Sequence, residues 1–261
     1  MKKMLLFFMI FTVSLYSNDI DNDRIKEKKL ILQLKNNVPK NLLNLRKIID
    51  NKEKRVVSYD ELLNAMSLAT SIYLAVDDPM IKLKIVNLGY GLAKKAMKKD
   101  PNRGDGYFYA AQFIGFIGIL KGVQYILNYL PQAQVLVEKA IEINPNFQKG
   151  TPYMLMCAIY YHAPGFPISI GNIKKANKYC LIAREKSPKS VNPYLYLATI
   201  EDMYGYHNKA KKILKEAINN CSPVFDTIES RIWYYKNMRK AKKMLQYLNE
   251  GRKIKSLLLK R

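Results

Sequence analysis

Ala176-Asn177-Lys178-Tyr179-Cys180-Leu181-Ile182-Ala183-Arg184-Glu185-Lys186-Ser187-Pro188 returns 34 residues later. Ala210, Leu214, Ala217 and Ser222-Pro223 stand in the register of Ala176, Cys180, Ala183 and Pro188. Toward the N-terminus, Ala133, Val137, Ala140 and Pro145 keep the same internal steps of four, three and five residues, and Gly89, Ala93, Ala96 and Pro101 keep them again. Steps of three and four put these residues on one face of a helix, where small side chains let a neighbouring helix approach closely. The proline lacks the N–H that would continue the helix, so one unit ends there and the next begins. Four such units predict antiparallel helix pairs stacked side by side, each unit burying its apolar face against the next.

A period of about 34 residues with small residues at these points is the tetratricopeptide signature. The predicted fold class is all-α, a tetratricopeptide-like right-handed helical solenoid of antiparallel helix pairs with extra terminal helices. Tyr107 and Tyr194 take the aromatic position early in the first helix of a pair, followed by Ala110-Ala111 and Leu197-Ala198. The middle unit departs, with Thr151 at that position and Tyr153 after it, and Gly205 supplies the last short turn. Pro101 to Pro145 is 44 residues, Pro145 to Pro188 is 43 and Pro188 to Pro223 is 35, so the two central units each carry an insertion. The first falls over 115–130 and is expected to lengthen the apolar helix there. The second, 162–172, holds two prolines and two glycines, which predicts an ordered loop, with Asn172 capping the helix after it.

The termini read differently from the repeats. Lys2 and Lys3 precede an apolar run over 4–13 and a boundary of small and polar residues at 14–17, the pattern of a secretory signal peptide, with cleavage near Ser17 and retention as an uncleaved N-terminal anchor as the two alternatives. A run of roughly ten apolar residues is half of the about 20 that a membrane span needs. The expected organisation is a signal peptide over 1–17, N-terminal helices over 18–58, repeats over 59–223 and capping helices over 224–261. Pro39 is expected to split the N-terminal helices into 19–37 and 39–54, and a helix begins at Ser58 or Asp60. The expected location is the periplasm or cell envelope. Segment 107–127 is apolar apart from Gln112, Lys121 and Gln124. Gly115, Gly118 and Gly122 form a small face along it, which predicts a buried core helix. Over 238–260 a basic amphipathic helix with Ala241, Met244, Leu245, Leu248 and Ile254 on one side is expected to cap the stack, with contact to a membrane surface as the alternative.

With 261 residues, 49% of them apolar, the chain can bury a sizeable core. Forty-four Lys and Arg against 21 Asp and Glu give a net charge of +23. Only nine of the basic residues are arginine, the residue suited to bidentate phosphate recognition, so a solvated lysine surface is expected and nucleic acid is not. Three cysteines leave at least one thiol unpaired, while Cys157 and Cys180 fall on paired helices within reach of a bridge. No glycine-rich phosphate loop, paired metal ligands or nucleophile elbow is present in the sequence. His162 lies in the loop insertion and His207 reads as a turn residue. No enzyme, cofactor or metal is expected.

Binding then falls to the inner face of the first helices. Ligand-facing positions map to Phe108, Gln112 and Phe116, to Met156, Ile159 and Tyr160, and to Leu195, Thr199, Asp202 and Met203. The candidate ligand-binding set is Phe108, Gln112, Phe116, Met156, Tyr160, Leu195 and Thr199. Its apolar and aromatic character suits either a hydrophobic small ligand or the seat of another helix.

Over residues 59–220 the chain resembles the TatT-type periplasmic component of tripartite ATP-independent periplasmic (TRAP) transporters. The resemblance rests on Leu88-Gly89-Tyr90-Gly91-Leu92-Ala93, Gly106-Tyr107-Phe108-Tyr109-Ala110-Ala111, Leu136-Val137-Glu138-Lys139-Ala140 and the loop Ala163-Pro164-Gly165 to Ile170-Gly171-Asn172. It implies an exported binding or adaptor protein that helps a substrate-binding partner deliver an apolar or organic-acid ligand, with a tendency to form homo-oligomers. This chain lacks the lipid-accepting cysteine of many members, and its basic charge departs from them. A protein–protein scaffold at the cell envelope is the alternative reading.

Overall fold

The computed structural model describes residues 2–50 and 57–254, with side chains described for 19–48 and for 57–254 apart from Val123. Its helices are α1 (Lys2–Asp50), α2 (Tyr59–Ala75), α3 (Pro79–Lys99), α4 (Gly104–Lys121), α5 (Val123–Ile143), α6 (Thr151–His162), α7 (Ile173–Lys186), α8 (Val191–Met203), α9 (His207–Asn220) and α10 (Ile228–Asn249). Among the described residues there is no strand, and no helix is long and apolar enough to cross a membrane. The fold is all-α and tetratricopeptide-like. Two compact units form, Ile31–Lys186 and the combination of Met1–Leu30 with Ser187–Arg261.

The unit over Ile31–Lys186 holds consecutive helix pairs, α2 on α3, α3 on α4, α4 on α5 and α6 on α7. Local chemistry sets where each helix starts. The Ser58 hydroxyl accepts the Glu61 N–H at 3.1 Å, while the Glu61 carboxylate accepts the Ser58 N–H at 2.8 Å, a capping box that opens α2. Asp78 accepts the N–H groups of Met80 and Ile81 ahead of Pro79, which opens α3. Each helix that the repeat pattern marks as the second of a pair stops just before its proline, at Lys99, Ile143, Lys186 and Asn220. The small repeat positions are closed to water: Ala93, Ala96, Val137, Ala140, Ala176, Cys180, Ala210, Leu214 and Ala217 are fully buried. Gly89 shows why size matters there, since a Cβ would lie 2.3 Å from the Phe113 ring.

Arg103 joins the start of α4 to the start of α2. Its guanidinium pairs with Asp60 and Asp105 at 2.9 Å each and lies 4.0 Å from the centre of the Tyr59 ring. The Tyr59 hydroxyl accepts the buried Gly106 N–H at 3.1 Å, and burial pushes its pKa up to about 12. Cys157 on α6 and Cys180 on α7 form a disulfide with Cα atoms 5.1 Å apart, which resolves the two alternatives for these thiols. Cys221 is free and buried; burial pushes its thiol up to about 12, into the inert range for a nucleophile.

In the other unit α8 packs on α9, and α10 packs on both. The α8–α9 turn ends in a left-handed Gly205 (φ 84°), with the Tyr206 N–H reaching Glu201 O at 2.9 Å and the Gly205 N–H reaching Asp202 O at 3.0 Å. Asp202 is 4% exposed. One carboxylate oxygen meets His207 Nδ1 at 2.6 Å and the other accepts the Ile254 N–H at 2.8 Å. Toward α1, Lys242 pairs with Asp23 at 2.6 Å and Arg239 with Glu27 at 2.8 Å.

Several expectations are corrected. Pro39 does not split the N-terminal helices, because α1 runs through it from Lys2 to Asp50. Proline removes one helical hydrogen bond and leaves the others in place, so neighbouring turns can hold the helix. The expected end of the second piece, at 51–54, lies outside the described residues, as do the side chains of 1–17. The 107–127 segment is not one helix: Gly122 (φ 95°) ends α4 and α5 restarts at Val123. The first insertion therefore extends into the opening turns of α5, which are partly exposed. Of the three glycines, Gly118 alone meets a neighbour, where a Cβ would lie 2.6 Å from Ile126. The C-terminal helix starts earlier than expected and spans Ile228–Asn249, from the Thr227 cap to a break at left-handed Gly251 (φ 72°), while 255–260 of the expected helix lie outside the described residues. Its apolar side, Ala241, Met244, Leu245 and Leu248, is buried together with Ile254, so that side packs on protein and not on a membrane surface.

Candidate functional site

The inner-face set is drawn into packing. Phe108 is 3% exposed and its ring centre lies 5.2 Å from that of Phe147. Met156 is fully buried and Ile159 is 6% exposed. Gln112 donates to Thr70 Oγ1 at 3.3 Å, and Phe116 stacks on Tyr73 at 4.2 Å. Tyr160 stacks on Tyr179 at 5.6 Å, under the Lys175 ammonium at 5.1 Å. In the other unit, Leu195 is buried and its carbonyl accepts the hydroxyl of buried Thr199 at 2.8 Å. Asp202 holds the turn contacts described above, and Met203 is half exposed. Phe108 and Met156 thus contribute to core, while Gln112, Phe116 and Tyr160 are occupied by neighbours. Periodicity identifies the side of a helix that faces another, but it does not tell a lined groove from a filled one.

Lysines lie over several buried or half-buried tyrosine rings. In the unit over Ile31–Lys186, Lys82 lies 5.2 Å from the centre of Tyr73, Lys94 4.9 Å from Tyr90, Lys121 4.9 Å from Tyr125 and Lys186 5.4 Å from Tyr153. Burial raises the phenol pKa of Tyr73, Tyr125, Tyr160 and Tyr179, with the phenols of Tyr129 and Tyr90 adding to it for Tyr125 and the Glu138 carboxylate for Tyr160 and Tyr179. Each stays a neutral hydroxyl near neutral pH, so none supplies a tyrosinate base. Among the described residues no cluster of three His, Cys, Asp or Glu side chains could hold a metal.

The other unit contains an open cleft of about 430 Å³ where α1 meets α10, lined by Ile20, Asp21, Arg24, Arg239, Lys240 and Lys243. Four cations and one carboxylate border it. Arg239 is engaged by Glu27, while Arg24, Lys240 and Lys243 have exposed side chains. The cleft was not legible in the sequence, because its two walls are more than 200 residues apart in the chain. The nearest signal is the paired charge pattern, Asp23 and Glu27 on α1 against Arg239 and Lys242 on α10, each four or three residues apart on one helical face.

No protein-family model matches the chain, and no curated protein matches it. Among solved structures, the chain is similar to TTC0263, a thermophilic TPR protein in Thermus thermophilus. The two are 16% identical, with 76% of this chain and 98% of that chain covered and a TM-score of 0.45.

Proposed function

We propose that this protein is a non-catalytic interaction scaffold that engages an acidic partner protein. The observation that carries this reading is the cleft between α1 and α10. It combines an apolar floor at Ile20 with the cations of Arg24, Lys240 and Lys243, on a chain of net charge +23. A carboxylate-bearing segment entering it would exchange water for charge-assisted hydrogen bonds and would be steered there by the field of the whole chain.

An exported setting is part of this reading. The Cys157–Cys180 disulfide suits an oxidising compartment. Cleavage near Ser17 would leave the pairs Asp23–Lys242 and Glu27–Arg239 intact. The narrower reading, a helper of a TRAP-type transporter that holds an apolar or organic-acid ligand on the inner face, requires Phe108, Met156 and Tyr160 to open from their present packing. The scaffold reading needs no such rearrangement and is therefore preferred.

The test couples the purified protein to resin and exposes it to envelope extract from the source cell. A stoichiometric acidic partner is expected, released by raised salt and lost in the double variant Arg24→Glu with Lys243→Glu. Native mass spectrometry that instead shows a bound apolar small molecule, with no partner captured, would overturn this reading in favour of the transport role.

A further inference from the structure

The insertion over 162–172 is built like a rigid finger. The Gly171 N–H bonds Pro164 O at 2.8 Å, and Gly165 and Gly171 form an isolated parallel bridge that closes the base. Gly165 O accepts the N–H groups of Ile168 and Ser169 at 3.1 and 3.3 Å, and the Asn172 N–H reaches Tyr160 O at 2.9 Å. A Cβ on Gly171 would lie 2.0 Å from the Ala163 carbonyl oxygen, so this close crossing of the chain admits glycine alone. At the tip of this ordered loop, Phe166 is 93% exposed and Ile168 is 73% exposed, with Pro167 between them.

Two large apolar side chains held outward on a fixed backbone contribute nothing to the core. The loop leads directly into a lysine-rich helix start. Lys174, Lys175 and Lys178 are exposed on the first turns of α7, directly after the loop, and the sequence from 143 to 184 contains no acidic residue. We infer that this loop is an interfacial membrane anchor: Phe166 and Ile168 enter the headgroup region of an anionic lipid surface while Lys174, Lys175 and Lys178 meet its phosphates. The convex tip favours lipid over a protein partner, since a bilayer yields around a small wedge whereas a protein would need a matching pocket. Proline and ordered turns also lower the entropy lost on insertion. This inference uses a surface separate from the α1–α10 cleft and stands whether or not an acidic partner binds there.

The experiment places a reporter at the tip. In the full chain, Trp233 is the single tryptophan, so Phe166→Trp in a Trp233→Phe background gives fluorescence from the loop alone. This local signal separates insertion of the tip from any binding by the N-terminal apolar run. With vesicles containing phosphatidylglycerol the emission should shift to the blue and be quenched by brominated acyl chains; with phosphatidylcholine alone the shift should be small. Replacing Lys174, Lys175 and Lys178 by glutamine should weaken the response to anionic vesicles by roughly fivefold per lysine, the worth of one cation near such a surface. Ile168→Asp in the reporter chain should abolish it, with the thermal unfolding midpoint unchanged because the side chain is exposed. A loop emission that stays at its water-exposed position on vesicles, or a response unaltered by Ile168→Asp, would overturn the proposal. So would a shift seen only on adding a protein fraction, which would assign the tip to a protein partner.

Discussion

Gly89 and Phe113 illustrate how a single atom sets the distance between helices. The ring of fully buried Phe113 occupies the space where a Cβ on Gly89 would be, so α3 and α4 approach as closely as they do because that side chain is missing. Gly89→Ala should destabilise the protein by about 1–3 kcal/mol, measured by urea denaturation, since overpacking a closed core forces rotamer and backbone shifts. Tyr59 works through its hydroxyl. Its folded pKa of about 12 stands above the ordinary 10.0, so the unfolded chain ionises first as pH rises. Its contribution is therefore complete below pH 10 and declines between pH 10 and about 12. Tyr59→Phe should flatten that alkaline limb of the stability profile. At neutral pH it should cost about 1–3 kcal/mol, because the Gly106 N–H loses its buried acceptor.

Among the elements, the turn between α8 and α9 gains its definition from Asp202. The repeat register places this residue on the inner face, where the sequence suggests contact with a ligand. In the structure its two oxygens are taken by His207 and by the Ile254 N–H, so it ties the turn to the segment that follows α10. Asp202→Ala should destabilise that unit by about 2–4 kcal/mol, read by thermal or chemical unfolding, since it leaves the buried Ile254 N–H without its acceptor and removes the short contact to His207 Nδ1. The helix starts were the most legible elements. Asn172 announces its cap in the sequence and that cap forms, while Ser58 is the cap where the sequence left Ser58 or Asp60 as the start. The breaks were harder to read. Gly122 interrupts an apolar run that reads as one helix, while Pro39 leaves uninterrupted a helix that reads as two. At Gly122 the left-handed backbone itself ends the helix, and at exposed Pro39 the flanking helical turns carry the chain through one lost hydrogen bond.

At the scale of the molecule, the unit containing α8, α9 and α10 also draws on the first part of α1, where Ile20, Asp23 and Glu27 are buried. A chain beginning at residue 18 should keep the full thermal unfolding midpoint of this unit, whereas one beginning at residue 31 should lose several degrees or fail to fold it. That second truncation strips Lys242 of its partner in a buried site, a loss of about 3–5 kcal/mol. By itself the sequence determined the repeat, the all-α class, the buried small positions and the loop between Pro164 and Asn172. These follow from periodicity and from the backbone limits of proline and glycine, which act within a few residues. The tertiary structure alone decided that Phe108 and Met156 are buried among neighbours, that Cys157 pairs with Cys180, and that a basic cleft opens where α1 meets α10. Those outcomes depend on which distant surfaces meet and how much space remains between them, and one-dimensional spacing carries no record of either.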